Sequence, residues 1–362
     1  MIDEHAHPFA LEPGSLDLSH VSLDQVDAPN AEERRERMRP TFLWHALLRS
    51  RLADTLGVPV DDVKAARADA AREYPAYVRG LFAEAGISEI VMDPAWPPGS
   101  EHRVAEYEAL TGCPVHLLFR IDTLVDQLLE RGAGFDEVLQ EFDGSLEERR
   151  AAGYVGLKTI IAYRTGLAVD PGVSDHDAAA SLPGEGPLKR RAKPLRDFLL
   201  RRALVFAAEA GLPVQFHTGF GDSDIRLSEA NPLLLEELLR TPEGTAADVV
   251  LIHGSFPHHE EAAYLAAARP NVHVDFSLFN IFAPARIADR LLRLIELAPT
   301  GKVLAATDGF ALPETYWFAA MLTHEAWSDV RRRLQELGAG SEWIDAATEA
   351  VFEQNARRLY RL

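Results

Sequence analysis

The chain has 362 residues, 47% of them hydrophobic, and a formal charge of −19 from 37 basic and 56 acidic side chains. That composition is globular rather than disordered, and so acidic a surface repels phosphate backbones and anionic lipid, which excludes nucleic acid and membranes as expected partners. No apolar run approaches the roughly 20 residues that span a bilayer; the single cysteine, Cys113, allows no intrachain disulfide, and no signal peptide is visible, so a cytoplasmic setting is expected.

The first predicted strand is the opening "MIDEHAH". On a strand, His5 and His7 at i and i+2 fall on one face. Two adjacent imidazoles are costly to bury unless a divalent metal uses their lone pairs; taken alone, the pair is more simply two surface histidines near a frayed end. Only four residues precede His5, so this strand is a stub unless the true start lies upstream. Residues 8–86 then separate the first two strands, far more than one helix needs. Their charged, periodic stretches predict several helices, a cap or an interface over about 10–85.

Seven further apolar runs follow, at 87–93, 113–121, 153–163, 212–219, 248–254, 271–277 and 301–309, each succeeded by a stretch of helical periodicity. They are β-branched or leucine-rich on both faces, as parallel strands covered by helices must be. Residues 165–193 read as a long polar loop, and the end of the chain as an amphipathic closing helix. Eight alternations predict an α/β fold, a (β/α)8 TIM-type barrel forming one domain over 1–362. The rival is an open doubly wound sheet, weakened because no Gly-rich phosphate fingerprint follows the first strand.

Polar residues stand where barrel strands deliver chemistry, at the ends of apolar runs. Lys158 lies in "VGLKTI", His217 ends "VQFHTG", His253 ends "VLIHGS" and Asp308 ends "LAATDG". A lysine inside a buried strand is rarely tolerated without a partner or a role. One such coincidence is bland, a satisfied core histidine or a capping aspartate; together with His5 and His7 the set points to a metal site.

With His-x-His on the first strand, lysine on the fourth, histidines on the fifth and sixth and aspartate on the eighth, the chain resembles the amidohydrolase superfamily. Strings such as "IDEHAHPF", "GLKTIIAYRTGL", "LIHGSFPHHEEAAYLA" and "NARRLYRL" are similar, more narrowly, to the amidohydrolase-2 branch, and within it to the domain also found fused to glutamine-synthetase-like proteins. The resemblance runs from residue 2 to the end and is poorest across 10–85.

The resemblance implies one or two divalent metals, zinc first and manganese or iron as alternatives. His5, His7 and Asp308 would hold the more buried ion, His217 and His253 the second, and Lys158, N-carboxylated, would bridge them. The other reading of Lys158 is an unmodified amine that binds a substrate carboxylate. Asp308 and His253 would be the catalytic groups: metal-bound hydroxide attacks, Asp308 shuttles the proton, and His253 donates a hydrogen bond if one metal is present. Arg120 and Arg164 are candidate carboxylate clamps, each balanced by a structural ion pair with Asp122, Asp222 or Asp224. Tyr163, Glu314 and Trp317 are candidate pocket walls, with core packing favoured for Trp317. His258 and His259 read as a solvent-facing helix start, with His258 a secondary substrate contact; His20, His45, His102, His116, His176 and His324 receive no role.

The expected function is therefore hydrolysis of a C–N amide bond in a small, carboxylate-bearing substrate such as a γ-glutamyl or N-acyl amide. Alternatives are a metal-dependent nonoxidative decarboxylase of a small unsaturated or aromatic acid, and a non-catalytic partner barrel. A homo-oligomer through the 30–85 helices is a further expectation.

Overall fold

The computed structural model describes every residue except Gln25 and Pro183; Pro183, inside the predicted polar loop, thus lies outside the described residues. Eight strands form one parallel sheet in sequential order: β1 (Ile2–Ala6), β2 (Glu89–Met92), β3 (Val115–Arg120), β4 (Gly156–Thr159), β5 (Val214–Phe216), β6 (Val249–Leu251), β7 (Val272–Asp275) and β8 (Val303–Leu304). The sheet curls into a barrel. Main-chain bonds from Glu4 N–H to Ala305 O (3.2 Å), Asp308 N–H to His5 O (2.9 Å) and His7 N–H to Gly309 O (2.8 Å) join the last strand to the first. Each predicted apolar run supplies one strand, and the strands are buried on both faces because the barrel lumen takes one side and the helices the other.

The lumen is filled rather than open. Ile2, Val91, Leu118, Val250 and Leu304 form its apolar floor, and Leu359 and Tyr360 of the closing helix Asn355–Tyr360 pack against it. The opening strand carries an irregularity. Asp3 pairs with Ile90 and Ala6 with Met92, so Glu4 and His5 together oppose Val91 alone. Such a bulge re-aims a side chain. As a result the consecutive residues Glu4 and His5 both reach inward, Glu4 to Gln215 on β5 and His5 to Lys158 on β4.

Between β1 and β2 the chain forms the helices Ala31–Met38, Leu43–Leu56, Val63–Ala70 and Tyr74–Glu84. They are fastened to the helix Pro313–Glu336 by a buried ion pair. Arg67 Nε donates to Glu314 Oε1 at 2.6 Å, and Tyr77 Oη donates to the same oxygen at 2.8 Å. Arg67 also donates to Gly14 O, holding down the segment that leaves the barrel mouth. Glu314 is therefore a fastening of these helices and not a pocket wall. Trp317 is core, 2% exposed, its indole N–H on Glu84 Oε2 at 3.1 Å. Earlier in the same interval, Leu23 O accepts from Ser223 N–H at 2.8 Å. In a closed eight-stranded barrel β5 lies diametrically across from β1, so this bond ties the segment after β1 to the loop after β5 over the mouth. No helix of the described residues is long and apolar enough to cross a membrane.

The Arg67–Glu314 pair yields a stability prediction. Glu314→Leu leaves a guanidinium buried without its counter-charge, which costs about 3–5 kcal/mol. Urea unfolding should show a lower midpoint with an unchanged slope; an unshifted midpoint would show that the pair contributes nothing.

Candidate metal centre

Six of the residues singled out from the sequence meet at the C-terminal end of the barrel. His5 Nε2 lies 3.4 Å from Asp308 Oδ1, and His7 Nε2 3.5 Å from the same oxygen. His253 Nδ1 lies 3.7 Å from Asp308 Oδ2, and Lys158 Nζ 3.3 Å from His5 Nε2. His217 Nδ1 faces His253 Nε2 at 3.0 Å. His5, His253 and Asp308 form a buried group whose candidate ligand atoms all lie within 4.8 Å of one another. The backbone is strained where it delivers two of them: His253 has φ 68° and Asp308 φ 52°, left-handed values that residues other than glycine adopt uncommonly.

Outer hydrogen bonds fix which ring nitrogens carry lone pairs. His7 Nδ1 meets the carbonyl of Asp93 at 3.0 Å, so it must bear the proton and Nε2 the lone pair. His217 Nε2 meets Phe220 O at 3.1 Å, so Nδ1 is its lone-pair nitrogen. Ser277 Oγ gives its one proton to Asp275 Oδ2 at 2.8 Å; it must then accept from His253 Nδ1, also at 2.8 Å, which leaves the lone pair on Nε2. His217 Nδ1 and His253 Nε2 thus point lone pairs at each other across 3.0 Å, a repulsive arrangement unless a cation sits between them.

Electrostatics agree with that reading. Burial, reinforced by Lys158, holds His5 and His217 well below the usual imidazole range; burial with His217 does the same to His253. His7 is lowered by burial to about 4, against an opposing pull from Asp93. The imidazoles are therefore neutral, as ligands must be. Burial lowers the Lys158 amine to about 8, against the pull of Asp93 and Asp308. It raises the Asp308 carboxyl well above the carboxylate range, opposed by Lys158 and assisted by Asp275 and Asp3. His5 Nδ1 and Asp308 Oδ1 are buried without a hydrogen-bond partner. A divalent cation among these donors would satisfy the orphaned oxygen and reverse the push on Asp308, so the residues present fit such an ion.

The remaining expectations fare differently. Arg120 is not a free clamp: its Nε and Nη2 lie 2.8 and 2.6 Å from Asp93 Oδ2. That pair buttresses the residue whose carbonyl holds His7. Arg164 is engaged by Asp126, at 2.9 Å from Nε and 2.7 Å from Nη2. Neither arginine takes the partners expected of a structural pair, because Asp93 and Asp126 lie on the neighbouring strand end and helix. Tyr163 stands beside the centre, its ring 4.5 Å from that of His217, its hydroxyl accepting from Asp222 N–H at 3.0 Å. Gly221 is needed there, since a Cβ would lie 1.8 Å from Tyr163 Oη and 2.9 Å from His217 Nε2. His259 is buried, with Nδ1 on Gly254 O at 2.8 Å, instead of facing solvent. His258 is part-buried, Nδ1 3.3 Å from Asn231 Nδ2.

Sequence reasoning missed Asp93, Asp275, Ser277, Asp3 and Thr307. Asp3 accepts from Thr307 N–H at 2.8 Å and from Thr307 Oγ1 at 2.5 Å, which sets the strand end that presents Asp308. The signal for two of them was available: Asp93 in "VMDP" and Asp275 in "VDFS" end apolar runs just as Asp308 does.

Comparison with known proteins agrees with the geometry. A model of the amidohydrolase family matches residues 2–362. The chain is similar to protein FluG of Emericella nidulans, 26% identical over 407 aligned residues that take in 100% of this chain and 46% of the relative; it thus spans about half that protein's length. Among solved structures it is similar to a Lactobacillus casei protein described as a candidate metal-dependent hydrolase, at 27% identity and TM-score 0.87, covering 100% of this chain and 95% of that one. It is also similar to uronate isomerase of Thermotoga maritima, at 16% identity and TM-score 0.70 over 99% and 94% of the two chains, a likeness of fold alone. With the family match running the whole length of a barrel whose strand ends carry the pattern's histidines, lysine and aspartate, the chain belongs to the amidohydrolase family, in the amidohydrolase-2 branch that resembles the FluG domain.

Proposed function

We propose that the chain is a metal-dependent hydrolase that cleaves the C–N bond of a small amide. The observation that carries this reading is the facing pair of lone-pair nitrogens on His217 and His253, beside a buried Asp308 Oδ1 with no partner. His5, His7 and Asp308 would hold one zinc-like ion and His217 and His253 a second, with Lys158 between them. When bound, such ions lower the pKa of water to near 7 and polarise a carbonyl.

The chain's own groups do the rest. The Asp308 carboxylate, through the oxygen not on the ion, takes the proton lost by the attacking water and returns it to the leaving nitrogen, so that water is added across the C–N bond with no net proton change at the enzyme. Ser277 and Asp275 hold His253 with its lone pair outward, which makes it a ligand instead of a hydrogen-bond donor. Tyr163 and the Phe220–Gly221 loop pack over His217 and keep bulk water from its outer side. Because Asp93 and Asp126 occupy Arg120 and Arg164, the proposal rests on the scissile amide, not on a carboxylate handle.

Three outcomes are expected. Metal-free protein should bind two equivalents of zinc in a calorimetric titration, and His217→Ala should bind one; no binding to wild type would sink the proposal. In a screen of γ-glutamyl and N-acyl amides with metal-loaded protein, amine release should fall by about 10²–10⁴-fold in Asp308→Asn, whereas release of carbon dioxide from acids instead would indicate decarboxylation. Finally, the neutral fraction of an amine with pKa about 8 grows as pH rises through that value. Bicarbonate should therefore strengthen metal uptake more at pH 9 than at pH 6.5 in wild type, and at neither pH in Lys158→Met.

A further inference from the structure

His45, which has no part in the metal centre, borders a cavity of about 60 Å³ among the helices between β1 and β2. Leu16 and Leu18, from the segment that follows β1, line it. So do Arg39, just past the helix Ala31–Met38, Arg49, one turn beyond His45 on the helix Leu43–Leu56, and Lys64, at the start of the helix Val63–Ala70. Asp17 is the one carboxylate among the lining residues. A water molecule needs about 10–15 Å³ of such space, so the cavity has room for one anion of four oxygens.

Two features set this cavity apart in a chain whose formal charge is −19. The first is its local charge. Among the described residues, the one ion pair that its cations make is Arg39 Nη2 with Glu32 Oε1 at 3.4 Å, and Glu32 is solvent-exposed, where such pairing is weak. Asp17 Oδ1 already accepts from Ser19 N–H at 2.9 Å. The second is an unpaired donor. Arg49 Nη2 donates to Val60 O at 3.2 Å, but its Nε is shielded from solvent and has no acceptor. A buried donor without a partner is rare and calls for a water or an ion. Water would accept from Nε and leave the cations repelling one another; an anion answers both.

We infer that this cavity is an anion site that takes a phosphate group, free or as a phosphomonoester, among Arg39, His45, Arg49 and Lys64. Three cations against Asp17 leave a surplus of two positive charges. A phosphate group matches that surplus with its charge of about −1.5 to −2 near pH 7, and a monocarboxylate meets only half of it. Guanidinium forks suit phosphate oxygens, and a charged donor gives the stronger hydrogen bond. Bound there, the group joins the segment after β1 to the helical elements that carry Arg39, Arg49 and Lys64. The inference does not depend on the metal centre or on the reaction proposed for it.

Inorganic phosphate is the first probe, titrated calorimetrically into the full chain with ionic strength held constant by chloride. Wild type should show one site per chain at millimolar phosphate. Arg49→Gln should weaken it by about 10–100-fold, the worth of one hydrogen bond to a charged group. Lys64 is solvent-exposed, so Lys64→Glu folds even if Arg49→Gln does not, and it should weaken binding by about tenfold or more through like-charge repulsion. His217→Ala, which disables the metal centre, should keep the site. Burial, then Arg49, Arg39 and Lys64, hold His45 below the usual imidazole range, with Asp17 the facing carboxylate. Bound phosphate should raise the His45 pKa in a histidine NMR titration. Glycerol phosphate in place of phosphate tells the sources apart: tighter binding of the ester supports an organic phosphate, tighter binding of the inorganic ion supports free phosphate. The inference is overturned if wild type binds neither, if folded Arg49→Gln and Lys64→Glu bind as wild type does, if the His45 pKa does not move, or if binding is lost in His217→Ala alone, which would put the anion at the metal centre.

Discussion

Desolvation in the barrel mouth is the constraint on which the rest of the structure depends. Six groups able to carry charge or lone pairs converge where water is excluded, and burial is the first cause of every shift among them: four imidazoles held neutral, an amine weakened and a carboxyl pushed up. A protein that gained nothing from this would replace such groups with apolar ones of similar bulk, since burying them unsatisfied costs stability. The strain of left-handed backbone at His253 and Asp308 adds to that cost.

The surroundings are arranged so that this cost yields geometry. Each ring whose tautomer is set takes its instruction from something rigid: a carbonyl at Asp93, a carbonyl at Phe220, or a serine fastened to Asp275. Those partners sit on strand ends or on the turns directly after them, so the ligands inherit the stiffness of the barrel rather than the mobility of a loop. The opening bulge belongs to the same logic. By placing both Glu4 and His5 inward, it lets one short strand serve the mouth and the layer beneath it.

Much of this was legible in the residues. Parallel strands buried on both faces must read as apolar runs, and so seven could be placed, with the polar opening stretch added as the eighth; a polar residue ending such a run stands out, which brought His217, His253 and Asp308 to notice. What stayed hidden depends on contacts between distant segments. Nothing in "AYRTG" or "LLFRID" tells that Arg164 meets Asp126 and Arg120 meets Asp93, because those partners are set by which strand ends and helices become neighbours. Glu314, expected as a pocket wall, instead turns its side chain to Arg67, a partner from the helices between the first two strands. The inward reach of Glu4 defied simple alternation because a bulge breaks the period of two.

The main-chain link from Ser223 to Leu23 closes a ring: out of the first strand, across the opening, into the loop of the fifth, and back through the wall. A visitor to the centre must pass beside this ring or part it. The residues flanking this contact on the fifth loop, Gly221 and Asp222, also touch or adjoin the Tyr163 hydroxyl beside His217, so a change here would alter admission and the ligand shell together.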